Sequence, residues 1–88
     1  MIIRLAARFL ITLTIYSRLY CHLCEDMLNA LKKLQAVHRF DLEIIDIDED
    51  ATLRERFNAD VPVLARGEQI ICKHFYNEQA IADILHDG

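Results

Sequence analysis

The chain has 88 residues, of which 53% are hydrophobic, so it is long enough for one compact domain and too short for two. Its net charge of −4 and its low counts of 2 glycines and 1 proline argue against a nucleic-acid binder and against a disordered chain. Its 3 cysteines, an odd number, do not suit a disulfide-stapled secreted scaffold. We therefore expect a cytoplasmic protein in a reducing compartment.

The N-terminal segment, residues 1–10, is apolar but carries Arg4 and Arg8. A secretory signal places its charge first, and a transmembrane helix needs about 20 predominantly apolar residues. We therefore expect neither a secretory signal nor a transmembrane helix, and we expect no membrane as a partner. We interpret residues 1–10 as a short extension, with a helix as its candidate conformation, followed by one domain over residues 11–88.

The first half of the domain predicts two strands and two helices. Residues 11–16 are β-branched and aromatic, which predicts a buried strand. Apolar residues fall three or four apart over 21–38, which predicts a helix, and its acidic start and basic end match the helix dipole. Residues 41–47 predict a second strand. Asp48 is the predicted cap of a short helix over 49–57.

The second half predicts a hairpin and a final helix. Residues 61–65 predict a strand, residues 66–68 a turn, and residues 69–73 the antiparallel partner strand. Asn77 is the predicted cap of the last helix. The order β-α-β-α-β-β-α places the first two strands parallel through their crossover. The sequence therefore predicts an α/β fold, with helices on both faces of a four-stranded mixed sheet.

Cys21 and Cys24 form a C-x-x-C motif, which occurs in zinc sites, iron–sulfur sites and redox enzymes. Here the first cysteine follows a predicted strand and opens a predicted helix. The free N–H groups at a helix start stabilise a thiolate, and Arg18 adds a cation nearby. We predict that Cys21 is the exposed nucleophile. Cys24 is the predicted resolving thiol, which attacks Cys21 and releases the reduced substrate.

The segment 15–24, a strand followed by a basic residue and the C-x-x-C motif, resembles the active site of the glutaredoxins, in the thioredoxin-fold superfamily. The pair Val61-Pro62 is similar to the family's valine and cis-proline, which face the dithiol. The resemblance covers residues 11–85 and implies a thioredoxin-like fold of the glutaredoxin type. It implies a monomeric thiol–disulfide oxidoreductase that reduces protein or small-molecule disulfides and is recharged by a thiol donor or an upstream reductase.

The resemblance also implies substrate-binding residues. Arg18 matches the basic position that holds an acidic thiol substrate, and Tyr20 matches a residue that lines the exposed sulfur. The backbone of Val61, which precedes Pro62, matches the position that pairs with a bound peptide or with glutathione. These residues are therefore expected to surround the dithiol and to shape a substrate groove.

Two features depart from the family's pattern. His22 stands where the family has proline, and it is either a residue that makes the dithiol more oxidising when protonated or an exposed loop side chain. We include His22 and its neighbour Leu23 among the substrate-binding residues. The segment 71–78 lacks the family's Gly-Gly, so the usual glutathione-binding residues are partly absent. Dithiol exchange requires no cofactor, and glutathione remains a candidate for the thiol that reduces the disulfide.

Two alternative functions remain open at this level. Cys72 and His74 could join Cys21 and Cys24 as ligands of zinc or of an iron–sulfur centre, although Cys72 also suits a small buried apolar position. The chain could instead be a non-catalytic thioredoxin-fold module that binds a protein partner.

Overall fold

The computed structural model describes residues 2–5 and 11–87. The strands and helices are β1 (Ile2–Leu5), β2 (Thr12–Ser17), α1 (His22–Gln35), β3 (Asp41–Asp46), α2 (Ala51–Phe57), β4 (Val63–Arg66), β5 (Gln69–Lys73) and α3 (Glu78–Asp87). Short 3₁₀ turns at Ile47–Glu49 and Asn58–Asp60 flank α2. From β2 onward the order is the predicted β-α-β-α-β-β-α. No helix in the described ranges has the length and apolar character needed to cross a membrane.

The sheet has five strands in the order β1-β3-β2-β4-β5. Strands β2 and β3 are parallel, as the predicted crossover through α1 requires. Strand β4 is antiparallel to β2, and β5 is antiparallel to β4. The strands from β2 to β5 form the predicted mixed sheet. The chain leaves β2 at Ser17 and enters α1 beyond it, so the C-x-x-C motif lies at the end of a central strand.

Strand β1 corrects the helical interpretation of the N-terminal extension. Ile2–Leu5 pairs antiparallel with β3, and Leu5 lies opposite Leu42. Without this strand β3 would be a sheet edge with unpaired N–H and C=O groups, and the pairing satisfies them. Arg4 therefore lies in a strand, while Arg8 lies outside the described residues.

The capping residue of α2 also differs from the prediction. Asp50 is the N-cap, and its Oδ1 accepts the N–H groups of Thr52 and Leu53 at 2.9 and 3.2 Å. Asp48, the predicted cap, lies in the preceding 3₁₀ turn, so its carboxylate binds elsewhere. The predicted cap of α3 is confirmed, since the Asn77 Oδ1 accepts the backbone N–H three residues later at 3.0 Å.

The core consists of two clusters on the two faces of the sheet. The larger one joins the sheet to α1 and α3, and its buried members include Leu13, Ile15, Met27, Leu31 and Ile81. The smaller one consists of Cys24, Ile47, Phe57, Val61 and Val63, with Tyr16 packed against it. Because Ile15 and Tyr16 are adjacent in one strand, they face opposite sides of the sheet. The helices therefore cover both faces, as predicted, and the smaller cluster connects α2 to the cysteine end of α1.

Candidate active site

The two cysteines of the motif are joined by a disulfide bond at the start of α1. Cys21 is the N-cap of the helix, with extended backbone, and its Sγ accepts the Cys24 N–H at 3.2 Å. The two Cα atoms lie 5.2 Å apart, a separation that suits a disulfide. Cys21 is half-buried, whereas Cys24 is 4% exposed. The helix thus presents one sulfur toward solvent and holds the other inside.

Val61, which precedes Pro62, shares a buried cluster with Cys24. The peptide bond between Val61 and Pro62 is cis. Cys21 packs against the same buried cluster. The Pro62 carbonyl accepts the His74 N–H at 2.8 Å, which ties the end of β5 to this segment. The sheet therefore brings the two distant motifs of the sequence to one end of the molecule.

Arg18 connects the loop before the disulfide to the segment around α2. Its Nη2 and Nε donate to the two carboxylate oxygens of Asp48 at 2.7 and 3.1 Å, and its Nη1 donates to the Asn58 carbonyl at 3.3 Å. The hydrogen bonds to Asp48 raise the pKa of Arg18. The same bonds lower the pKa of the Asp48 carboxyl below its usual value, against an opposing effect of desolvation. Both groups are therefore charged at neutral pH.

The loop between Arg18 and the disulfide exposes apolar side chains. Leu19 is 71% exposed, and Tyr20 is completely exposed. Tyr20 has a φ of 58°, a left-handed conformation that costs a non-glycine residue about 1–2 kcal/mol. His22 and Leu23 are also exposed at the start of α1. The residues predicted to contact substrate from this loop are accordingly accessible to a partner molecule.

A cleft of about 220 Å³ opens between this loop, α1 and β3. Cys24 lines it together with Arg18 and Tyr20, so these predicted site residues share one cavity. The remaining lining is mostly apolar and consists of Ile15, Ser17, Leu19, Glu25, Leu28 and Ile44. The cleft suits an apolar side chain more than a phosphate or a sugar, because few polar groups line it.

The third cysteine lies apart from the disulfide. Cys72 is a free thiol on β5 that packs against the larger core cluster, and burial raises its pKa above the ordinary value. His74 follows it with a φ of 66°. Within the described parts of the chain, no three His, Cys, Asp or Glu residues are grouped to hold a metal. The structure does not assemble the proposed ligand set of Cys21, Cys24, Cys72 and His74.

Three features of the site escape prediction from the sequence. Asp48 binds Arg18 across 30 positions of sequence. Lys73 binds Asp60 at 3.2 Å, directly before the Val61-Pro62 segment. Phe75, which follows the residue bonded to the Pro62 carbonyl, is 69% exposed. The sequence hints at the Arg18–Asp48 contact only through the acidic run around Asp48, and that run does not indicate which cation is bound.

Other proteins share this fold. Residues 12–86 match the family described as Glutaredoxin-like domain (DUF836). The solution NMR structure of protein Ne2328 from Nitrosomonas europaea is similar, with a TM-score of 0.76 and 36% identity over 92% of this chain and 99% of that chain. The X-ray structure of protein XcR50 from X. campestris has a TM-score of 0.65 and 28% identity over 86% of this chain and 97% of that chain. The predicted thioredoxin-like α/β fold is confirmed.

A more distant similarity concerns the fold alone. The structure of a malarial protein has a TM-score of 0.61 at 18% identity, over 88% of this chain and 94% of that chain. No curated protein matches the sequence.

Proposed function

This chain belongs to the Glutaredoxin-like domain family, and we propose that it is a thiol–disulfide oxidoreductase whose working groups are Cys21 and Cys24. The observation that carries the proposal is the disulfide at the start of α1, with a half-exposed Cys21 and a buried Cys24. A purely structural disulfide has no need of a sulfur that caps a helix and is open to solvent. A redox-active disulfide needs an accessible sulfur, because an incoming thiolate must reach it, and the N–H at the helix start stabilises the thiolate of the reduced form.

The reaction begins with the reduced dithiol. The Cys21 thiolate attacks one sulfur of a substrate disulfide, the substrate S–S bond breaks, and the departing thiolate takes a proton from solvent. Cys24 then loses its proton and attacks the Cys21 sulfur, which forms the Cys21–Cys24 disulfide and releases the second substrate thiol. Two electrons pass from the dithiol to the substrate. A thiol donor or a reductase returns them by the same exchange in reverse.

The backbone N–H of Cys24 supports the first step. It donates to the Cys21 sulfur at 3.2 Å, and a thiolate accepts such a bond more strongly than a thiol does. The helix dipole acts in the same direction at this position. Both effects favour the attacking form of Cys21.

The substrate side of the site consists of the exposed loop and the Val61-Pro62 segment. We assign Tyr20, His22 and Leu23 to contact with the substrate, because they are exposed around the outer sulfur. Val61 would offer backbone groups to an extended peptide, and Arg18 would shape the neighbouring cleft. Protein disulfides are the proposed substrates. We propose that the protein works as a monomer. A reducing compartment such as the cytoplasm fits this activity, and it also fits the free thiol of Cys72 on β5.

The test is the reduction of insulin disulfides by dithiothreitol, with and without the protein. Wild type should accelerate the reaction, and Cys21→Ser should return it to the uncatalysed rate. Cys72→Ser makes the same chemical change on β5 and should retain the wild-type rate. Equal rates for wild type and Cys21→Ser would contradict the enzymatic function and would favour a non-catalytic partner-binding module.

A further inference from the structure

Three of the five N–H donors of the Arg18 guanidinium already have acceptors within the protein. An arginine carries five N–H donors. Asp48 takes one from Nη2 and one from Nε, and the Asn58 carbonyl takes one from Nη1. The bidentate carboxylate also neutralises the positive charge, in the geometry that an incoming carboxylate would otherwise use. An anionic substrate would have to displace Asp48 or bind to a pair with no net charge.

Other cations at this end of the sheet also have internal acceptors. Lys73, which lies opposite Val63 in the hairpin, donates to Asp60 at 3.2 Å. The Arg54 Nη1 donates to the Asp48 backbone carbonyl at 3.2 Å. The carboxylates that pair with Arg18 and Lys73 come from the 3₁₀ turns on either side of α2. Arg18 and Lys73 are therefore each paired with a carboxylate, whereas the acceptor of Arg54 is a backbone carbonyl, which carries no charge.

We propose that Asp48 is a specificity-determining residue, which cancels the anion-binding capacity of Arg18 and makes the dithiol discriminate against disulfides of anionic thiols. Glutathione belongs to this disfavoured class, since its disulfide has a net charge of about −2 near neutral pH. The favoured substrates are protein disulfides flanked by neutral or basic residues. This inference rests on the proposed oxidoreductase function and adds the class of its substrate.

The discrimination is electrostatic and acts on the approach of the substrate to Cys21. An unpaired Arg18 would attract the carboxylates of the substrate, whereas the Arg18–Asp48 pair offers no net attraction. Removing one charge at this range changes an association rate constant by roughly three- to tenfold at low salt. The effect shrinks as the ionic strength rises, because salt screens exposed charges. A change in packing alone would have no such dependence on salt.

The experiment compares the rate constants with which pre-reduced protein is oxidised by two disulfides. One is glutathione disulfide, and the other is the uncharged hydroxyethyl disulfide. Asp48→Asn should raise the ratio of the first rate constant to the second roughly three- to tenfold at low salt, and the gain should diminish in about 0.5 M salt. Glu68→Gln, which removes the same charge from the exposed turn at the far end of β4, should keep the wild-type ratio.

Failure of this inference and failure of the proposed function give different results. If wild type reacts with the uncharged disulfide and Asp48→Asn leaves the ratio of rate constants unchanged, the inference is overturned. If Asp48→Asn does not fold, Asp48→Ser provides the same measurement. A wild type that prefers glutathione disulfide to the uncharged disulfide also overturns it. Absence of any reaction of wild type with either disulfide overturns the proposed function as well.

Discussion

The sulfur of Cys21 accepts a hydrogen bond from the backbone N–H of Cys24, at 3.2 Å, across the first turn of α1. The same two residues are joined by the disulfide, so the sulfur that caps the helix is also one of the two redox-active sulfurs. In the oxidised state this hydrogen bond caps the helix through the outer sulfur. After reduction the same N–H is available to a Cys21 thiolate, which links the capping geometry to the reactivity of the site.

Thiol reactivity in the reduced protein should differ strongly between Cys21 and Cys72. We expect iodoacetamide to alkylate Cys21 roughly tenfold faster or more at neutral pH, because burial raises the pKa of Cys72 and limits access to it. Mass spectrometry of peptides from briefly alkylated protein measures the two rates. Denatured protein is the control, in which the two thiols should react alike. Faster labelling of Cys72 than of Cys21 in the folded protein would contradict the assignment of the nucleophile.

The carboxyl of Asp48 should titrate below its ordinary pKa of 3.8, because the Arg18 guanidinium donates to the carboxylate. A group whose pKa is lowered by folding stabilises the protein above its unfolded pKa, and this contribution is lost as the pH falls through the folded pKa. An NMR titration of the carboxyl carbon gives the midpoint. Arg18→Gln should raise that midpoint, and an unchanged midpoint would show that the ion pair does not form in solution.

The cap of α2 should contribute measurably to stability. Asp50→Ala should lower the free energy of unfolding by about 1 kcal/mol, because N–H groups at the helix start lose their acceptor. Urea denaturation followed by circular dichroism measures the change. Glu55→Ala, at an exposed position within the same helix, should stay within about 0.5 kcal/mol of wild type. Similar losses for the two substitutions would contradict the cap.

The side chain of Ile81 attaches α3 to the sheet, together with the partly buried Ile84 and Leu85. Ile81 is completely buried in the larger cluster, so Ile81→Ala should lower the free energy of unfolding by about 2–5 kcal/mol. Ile84, on the same helix, is half-buried, and Ile84→Ala should have a smaller effect. Urea unfolding compares the two variants. A larger loss for Ile84→Ala would show that a different face of α3 packs on the core.

Features encoded by residues close together in the chain can be predicted from the sequence alone. The helix that begins at Cys21, the Asn77 cap and the hairpin at Gly67 each depend on contacts a few positions apart. Periodicity, turn residues and capping side chains report such contacts directly. The crossover rule then makes β2 and β3 parallel neighbours, and the place of the C-x-x-C motif at the end of a central strand follows from it.

Features that depend on distant partners arise only when the chain has folded. Strand β1 forms because β3 offers a free edge, and the residues Ile2–Leu5 give no sign of that edge on their own. Both Asp48 and Asp50 are good capping residues, and the 3₁₀ turn that follows β3 leaves the cap to Asp50. Asp48 is then available to Arg18, across 30 positions of sequence. An ion pair of this kind has no periodicity to reveal it, because only the folded chain brings the two charges together.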